Sequence, residues 1–233
     1  MHIKQLQKRH QQQLKSNVDF YTPLGIHVFF KDHIDNQKVD VEEVVDRVES
    51  KIPAHLVSEI EMIIVGWFKE FEERNINAFY DSGTIYISNV QDDNEDMFDD
   101  IVHELSHAIE VAHGYYIYAD QKIKDEFLRK RKHLHDLLWA RGIKAPESFF
   151  MNPEFNQEFD DFLYKKVGYD KLSSIMSGLF VSPYAATSLR EYFATGFTEF
   201  YLDPNHQFLK KLAPALYSKI YFLQDPEKLE IEA

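Results

Sequence analysis

Hydrophobic and polar positions alternate in two different ways along the chain. Up to about residue 90, short apolar runs bounded by turn residues are typical of β-strands. The runs that predict strands are 26–30, 62–65, 78–80 and 84–88. The last two flank Asp81-Ser82-Gly83, a turn sequence that predicts a β-hairpin. Apolar positions within 41–52 instead recur at helical spacing, and Pro53 marks the end of that helix.

From about residue 95 onward, the apolar positions follow helical spacing almost throughout. Glycines and prolines separate the candidate helices, which cover 95–113, 121–140, 154–166, 187–202 and 214–223. We therefore predict an α+β protein, in which a small mixed sheet with helices is followed by a mainly helical lobe, with an active-site cleft between them. We predict a polar N-terminal arm over residues 1–17. We predict a single domain over 18–233, with a sheet lobe (18–113) and a helical lobe (114–233).

Composition narrows the class of protein. An apolar content of 44% and an aromatic content of 15% suit a folded globular chain of 233 residues. The net charge of −13 argues against nucleic acid as a partner, because nucleic-acid-binding surfaces are basic. The one dense basic cluster, Lys130-Arg131-Lys132, is predicted to be a solvated helix face. The absence of cysteine excludes disulfides, cysteine-based zinc sites and a catalytic thiol.

The sequence also carries expectations about location. No apolar run is long enough to span a membrane, and the basic N-terminus is not followed by the apolar stretch of a secretory signal. We therefore expect a cytoplasmic protein that does not associate with a membrane. Nothing in the sequence indicates an oligomeric state.

The candidate chemistry lies in His103-Glu104-Leu105-Ser106-His107, inside the predicted helix 95–113. Residues four apart lie on one face of a helix, so His103 and His107 can bind one metal ion. The helix is apolar over a broad surface, and polar side chains buried there need partners, which a Zn²⁺ ion provides. Glu104 then lies beside the metal, where its carboxylate can act as the general base for a metal-activated water.

A catalytic zinc site needs a third protein ligand, and the same helix offers two candidates. His113 gives the histidine spacing of the metzincin peptidases, but a regular helix places it about 240° around from His107. Glu110 lies on the face of His103, roughly 10 Å further along the helix, which is too far for direct ligation. Two interpretations of Glu110 stay open, a carboxylate that supports the site without binding the metal and a solvated residue. The third candidate lies on another predicted helix.

That candidate is Glu191, which is followed by Tyr192-Phe193-Ala194, while Tyr184 stands seven residues before it. This arrangement downstream of an HExxH helix resembles the gluzincin peptidases, most closely the families of the anthrax lethal factor catalytic domain and the clostridial Pro-Pro endopeptidases. The resemblance implies a zincin-like fold, Glu191 as the third Zn²⁺ ligand, and a hydrogen bond from Tyr184 to the oxyanion of the reaction. It also implies that Thr84–Ser88 is an edge strand that pairs with an extended substrate, while the sequence of this segment fits an ordinary hairpin strand equally well. The alternative for Glu191 is a capping box with Ser188.

The sequence thus predicts a zinc endopeptidase with a peptide or protein substrate, and two other functions stay open. One is a metzincin-type protease that uses His113 as its third ligand. The other is a non-catalytic zinc protein with a role in assembly or interaction, although a structural zinc site has no use for Glu104. A DNA-associated metalloprotease of the SprT type is disfavoured by the acidic charge and the absence of cysteine.

Overall fold

The computed structural model describes residues 18–74 and 76–230, so the predicted arm over 1–17 lies outside the described residues. The strands are β1 (Phe20–Tyr21), β2 (His27–Phe30), β3 (Met62–Val65), β4 (Ala78–Asp81) and β5 (Thr84–Ile87). The α-helices are α1 (Val41–Lys51), α2 (Ala54–Val57), α3 (Lys69–Arg74), α4 (Asn94–Tyr118), α5 (Lys122–Ala140), α6 (Glu147–Met151), α7 (Gln157–Asp161), α8 (Tyr169–Ile175), α9 (Leu189–Leu202), α10 (Gln207–Leu212), α11 (Pro214–Leu223) and α12 (Pro226–Glu230). A π-helix covers Phe162–Val167, and a 3₁₀ turn covers Tyr184–Ala186. The predicted α+β class, a small mixed sheet together with a helical part, is confirmed.

The chain forms two compact units, Met1–Ile109 and Glu110–Ala233, called here the sheet unit and the helical unit. All five strands belong to the sheet unit, and α5 to α12 belong to the helical unit. Helix α4 begins in the sheet unit and continues into the helical unit as one element.

The sheet unit is built on a five-stranded sheet with the order β1-β2-β3-β5-β4. The three inner strands pair in parallel, and the two outer strands pair antiparallel to their neighbours. The turn between β4 and β5 holds Ser82 at φ 48° and Gly83 at φ 82°, which is the two-residue turn of a tight hairpin. Ile63, Val65 and Ile85 are fully buried, so one face of the sheet forms the core of this unit.

The expectation that Thr84–Ser88 is an edge strand is wrong. Strand β5 is bonded to β3 on one side and to β4 on the other, so its main-chain groups are already paired. The outer strands are β1 and β4. The sequence identifies the hairpin, but the pairing of a third strand with one of its two arms depends on a contact that is distant along the chain.

The prediction of a solvated basic face at Lys130-Arg131-Lys132 is also wrong for Arg131, which is 1% exposed. Its guanidinium donates to the backbone oxygens of Asn152 (2.7 Å) and Phe149, and lies 4.0 Å from the ring centroid of Phe159. Burial lowers the pKa of this guanidinium, and the two carbonyls and the aromatic ring offset only part of its lost hydration, because Nε has no hydrogen-bond partner among the described residues. Arg131 therefore fixes the chain between α6 and α7.

That fixed segment reaches the start of α9, because the oxygen of Pro153 accepts a hydrogen bond from the N–H of Leu189 (2.7 Å). Further along, α9 packs closely on α11. A Cβ atom at Gly196 would lie 2.2 Å from Leu216 Cδ2, so any larger residue here would force the buried Leu216 side chain to move. Helix α9 is thus held within the helical unit along its length.

Candidate metal centre

Helix α4 carries the HExxH sequence and begins where the acidic run predicts. Asp93 Oδ1 accepts hydrogen bonds from the N–H groups of Glu95 (3.0 Å) and Asp96 (3.2 Å), which is an N-cap. The helix is kinked at His113, where φ is −117° and ψ is 17°, and then continues to Tyr118. Seven residues of the predicted apolar surface of this helix have 0–2% exposure: Met97, Phe98, Ile101, Val102, Leu105, Ala108 and Ile109. The eighth, Ala112, is exposed, so the buried surface ends one turn earlier than predicted.

His103 and His107 lie on one face of α4, one turn apart. Their ring centroids are 5.2 Å apart, and the rings are inclined at 84°. His107 is buried with 8% exposure, and Glu104 is buried with 9% exposure. The histidines therefore stand side by side within a largely apolar helix, with a buried carboxylate next to them in the sequence.

Glu191 lies in the first turn of α9. Ser188 is the N-cap of this helix, and its hydroxyl accepts a hydrogen bond from the N–H of Glu191 (3.2 Å). This half of the predicted capping box is confirmed, and it uses the backbone of Glu191. The cap therefore fixes the position of Glu191 in the first turn of α9.

The structure brings His103, His107 and Glu191 together. One ligand atom from each of the three side chains lies within 4.8 Å of the others. Two imidazole nitrogens and one carboxylate oxygen are a donor set of catalytic zinc sites, which leave a fourth position for water or substrate. The residues present therefore fit a Zn²⁺ ion. This group does not include His113, which lies at the kink of α4 with its ring centroid 6.4 Å from that of Tyr116.

Tyr184, the predicted oxyanion donor, lies in the 3₁₀ turn that precedes α9. Its backbone oxygen accepts hydrogen bonds from the N–H (3.0 Å) and the hydroxyl (2.8 Å) of Thr187, which fix the turn. The side chain of Tyr184 is 36% exposed. A ligand from solvent can therefore reach this side chain, and its backbone is tied to the start of the helix that carries Glu191.

Sequence reasoning missed Arg190, the neighbour of Glu191. Arg190 Nε donates to Glu110 Oε2 (2.7 Å), and Tyr118 Oη donates to Glu110 Oε1 (2.5 Å). Burial lowers the pKa of Arg190, but the hydrogen bond and the charge of Glu110 outweigh this effect and raise it overall. Glu110 is thus not a metal ligand but the anchor of an ion pair between α4 and α9.

A second group that the sequence did not reveal is formed by Asp160 and Tyr169, on either side of the π-helix. Tyr169 Oη donates to Asp160 Oδ1 (3.3 Å). Burial raises the pKa of both groups, and the negative charge of Glu191 raises both further. These two residues therefore lie within electrostatic range of Glu191.

Asp100 lies one turn before Glu104 on α4, among other acidic groups. Partial burial raises its pKa from 3.8 to about 7, and the hydrogen bond from Gln91 Nε2 (3.1 Å) opposes this rise. The charges of Asp96, Asp99 and Glu104 add to the effect. Because the folded state holds this proton more tightly than the unfolded state, Asp100 destabilises the fold progressively as the pH rises from about 4 to about 7.

We expect Asp100→Asn to stabilise the metal-free protein more at pH 8 than at pH 4. The difference in free energy of unfolding between the variant and the wild type should grow by about 1–3 kcal/mol across this range. This is less than the full pKa shift implies, because Asp100 keeps some contact with solvent. The asparagine oxygen can still accept the hydrogen bond from Gln91. Urea unfolding in the presence of a chelator measures the difference, and an advantage that is independent of pH would contradict the raised pKa.

Comparison with protein-family models, with curated proteins and with solved structures finds no match to this chain. The resemblance to gluzincin peptidases therefore stays a prediction from the HExxH sequence and the later Glu191 segment. No helix within residues 18–74 and 76–230 is long and apolar enough to cross a membrane.

Proposed function

We propose that this protein is a zinc-dependent endopeptidase of the gluzincin type, which cleaves a peptide or protein substrate in the cytoplasm. The observation that carries the proposal is the grouping of His103, His107 and Glu191, whose ligand atoms lie within 4.8 Å of one another. These residues belong to two segments that are more than eighty positions apart in the sequence. Glu104, directly after the first histidine, supplies the group that a catalytic site needs and a structural site does not.

The three side chains would hold Zn²⁺ through two nitrogens and one carboxylate oxygen. A zinc ion bound there would polarise the substrate carbonyl and lower the pKa of a water molecule from about 15.7 towards 7. Glu104 accepts the proton of the attacking water and passes it to the amine that leaves when the peptide bond breaks.

Tyr184 stabilises the tetrahedral oxyanion by donating a hydrogen bond, which is typically worth about 3 kcal/mol in such sites. Its position supports this role, because the turn that holds it leads directly into α9. The bonds of this turn and the Ser188 cap hold the backbone of Tyr184 and the start of α9 in place.

The test is endoproteolysis by the zinc-reconstituted protein. The protein is loaded with one equivalent of Zn²⁺, incubated with a peptide library and with an unfolded protein, and the products are identified by mass spectrometry. We expect internal cleavage that a chelator abolishes and added Zn²⁺ restores. Zinc-loaded protein that cleaves neither substrate would contradict the peptidase and favour a non-catalytic zinc protein.

A further inference from the structure

Both sequence neighbours of Glu191 are anchored to buried carboxylates on other helices. Arg190 is bonded to Glu110 on α4, and Tyr192 is bonded to Glu126 on α5. Successive residues of an α-helix are rotated by about 100° around its axis. The side chains of Arg190 and Tyr192 therefore point to opposite sides of the direction in which the Glu191 side chain points. Neither carboxylate belongs to the group that would hold the metal.

The first anchor is attached to the helix that carries the histidines. The side chain of Glu110 is 9% exposed, and its two oxygens accept from Arg190 Nε (2.7 Å) and Tyr118 Oη (2.5 Å). Glu110 follows His103 by seven residues, which is nearly two full turns of an α-helix. The two side chains therefore point in directions that differ by only about 20° around the helix axis. The bond to Arg190 therefore ties the first turn of α9 to the face of α4 from which His103 projects.

The second anchor holds the opposite side of the same turn. Glu126 is 4% exposed, and its Oε1 accepts from Tyr192 Oη (2.9 Å) and from the N–H of Leu216 (3.2 Å). Its Oε2 accepts from the N–H of Ala215 (2.9 Å), so the carboxylate also lies at the N-terminus of α11. This arrangement satisfies a buried charge and links α5, α9 and α11.

A ligand carboxylate on a helix is sensitive to rotation of that helix. An atom about 5 Å from the helix axis moves by about 1 Å when the helix turns by about 10°, and metal ligands tolerate only about 0.5 Å. The packing of α9 on α11 limits rotation of the helix as a whole, and the two anchors on opposite sides of Glu191 add resistance to rotation of its first turn in either direction.

We infer that Glu110 and Glu126 are positioning residues, which hold Arg190 and Tyr192 and so aim the Glu191 carboxylate at the metal. The inference rests on the proposed zinc site. It predicts that loss of either anchor weakens metal binding in protein that remains folded, because the carboxylate then loses its alignment with the two histidines.

The test compares zinc affinity in variants that remove one anchoring bond each. Glu110→Gln weakens the ion pair with Arg190, and Tyr192→Phe removes only the hydroxyl that bonds Glu126. The second change leaves the bonds from Glu126 to α11 in place, so the variant keeps its fold. The matched control is Glu147→Gln, which breaks the exposed ion pair with Lys132 (3.1 Å) in the same unit.

Zinc affinity is measured by competition with a chromogenic chelator, and folding by circular dichroism of the metal-free proteins. The absorption spectrum of the Co²⁺-substituted proteins reports whether the ligand set has changed. We expect Glu110→Gln and Tyr192→Phe to lower the affinity by about 10–100-fold each, with an altered Co²⁺ spectrum, and Glu147→Gln to match the wild type.

Two results would overturn the inference in different ways. If the wild type binds zinc and both folded variants bind it equally well, the carboxylates serve packing alone and the proposed function stands. If the wild type binds no zinc, the proposed function fails and the positioning role fails with it.

Discussion

Replacing Glu104 with glutamine is expected to lower peptidase turnover by about 10²–10⁴-fold, while one zinc ion per chain stays bound. Glutamine keeps the size of the side chain but cannot accept a proton from the attacking water. His103, His107 and Glu191 are unchanged, so the metal site remains intact. The turnover number and the zinc content by elemental analysis are measured on the same preparation.

The matched control for this variant is Glu95→Gln, which changes an exposed glutamate of the same helix. Glu95 pairs with Arg47 and its side chain is 67% exposed, so its loss should leave turnover and zinc content unchanged. Undiminished turnover in zinc-loaded Glu104→Gln would show that Glu104 is not the general base.

Replacing Glu191 with alanine is expected to weaken zinc binding by more than the roughly 10–100-fold loss that is typical of residues outside the ligand set. The variant loses a ligand but keeps its helix, because the Ser188 cap is bonded to the backbone N–H of residue 191 and alanine favours helix. Activity should be lost together with the metal. Equilibrium zinc titration beside circular dichroism separates this effect from unfolding.

His113→Ala decides between the two ligand sets that the sequence leaves open. His113 lies outside the group formed by His103, His107 and Glu191, so this variant should bind zinc as tightly as the wild type. Loss of zinc in His113→Ala with retention in Glu191→Ala would instead indicate the metzincin type and remove the support for Tyr184 in the mechanism.

The sequence predicts those parts of the fold that have a strong local pattern. The strand 62–65 and the helix 214–223 have the predicted bounds. The strand is short and rich in β-branched residues, and the helix is a longer periodic segment that begins at a proline. The sequence does not predict the two-residue strand β1 or the short helices α2, α3, α6, α8, α10 and α12, since elements this short contain too few residues to show a clear period.

Other features depend on contacts between distant segments and have no local signal. The burial of Arg131 needs carbonyls that lie about twenty residues away, so a basic cluster on a helix looks solvated in the sequence. The interior position of β5 likewise depends on its pairing with β3.

In the candidate metal centre, too, some residues are predicted by a local pattern in the sequence and others are not. His103, Glu104 and His107 are visible as one motif, because their spacing is the periodicity of a helix. Glu191 is visible only through the resemblance to gluzincins, since nothing local separates a ligand from half of a capping box. The ion pair between Glu110 and Arg190 joins residues eighty positions apart, and only the structure reveals it.

The most direct test of the account is a crystal structure of the zinc-loaded protein with anomalous scattering recorded at the zinc edge. We predict one zinc ion, bound by nitrogens of His103 and His107 at about 2.0–2.1 Å and by a Glu191 oxygen at about 2.0–2.2 Å, with no fourth protein ligand. No anomalous signal at these side chains, or a zinc ion bound by other residues such as His113, would contradict the proposed centre.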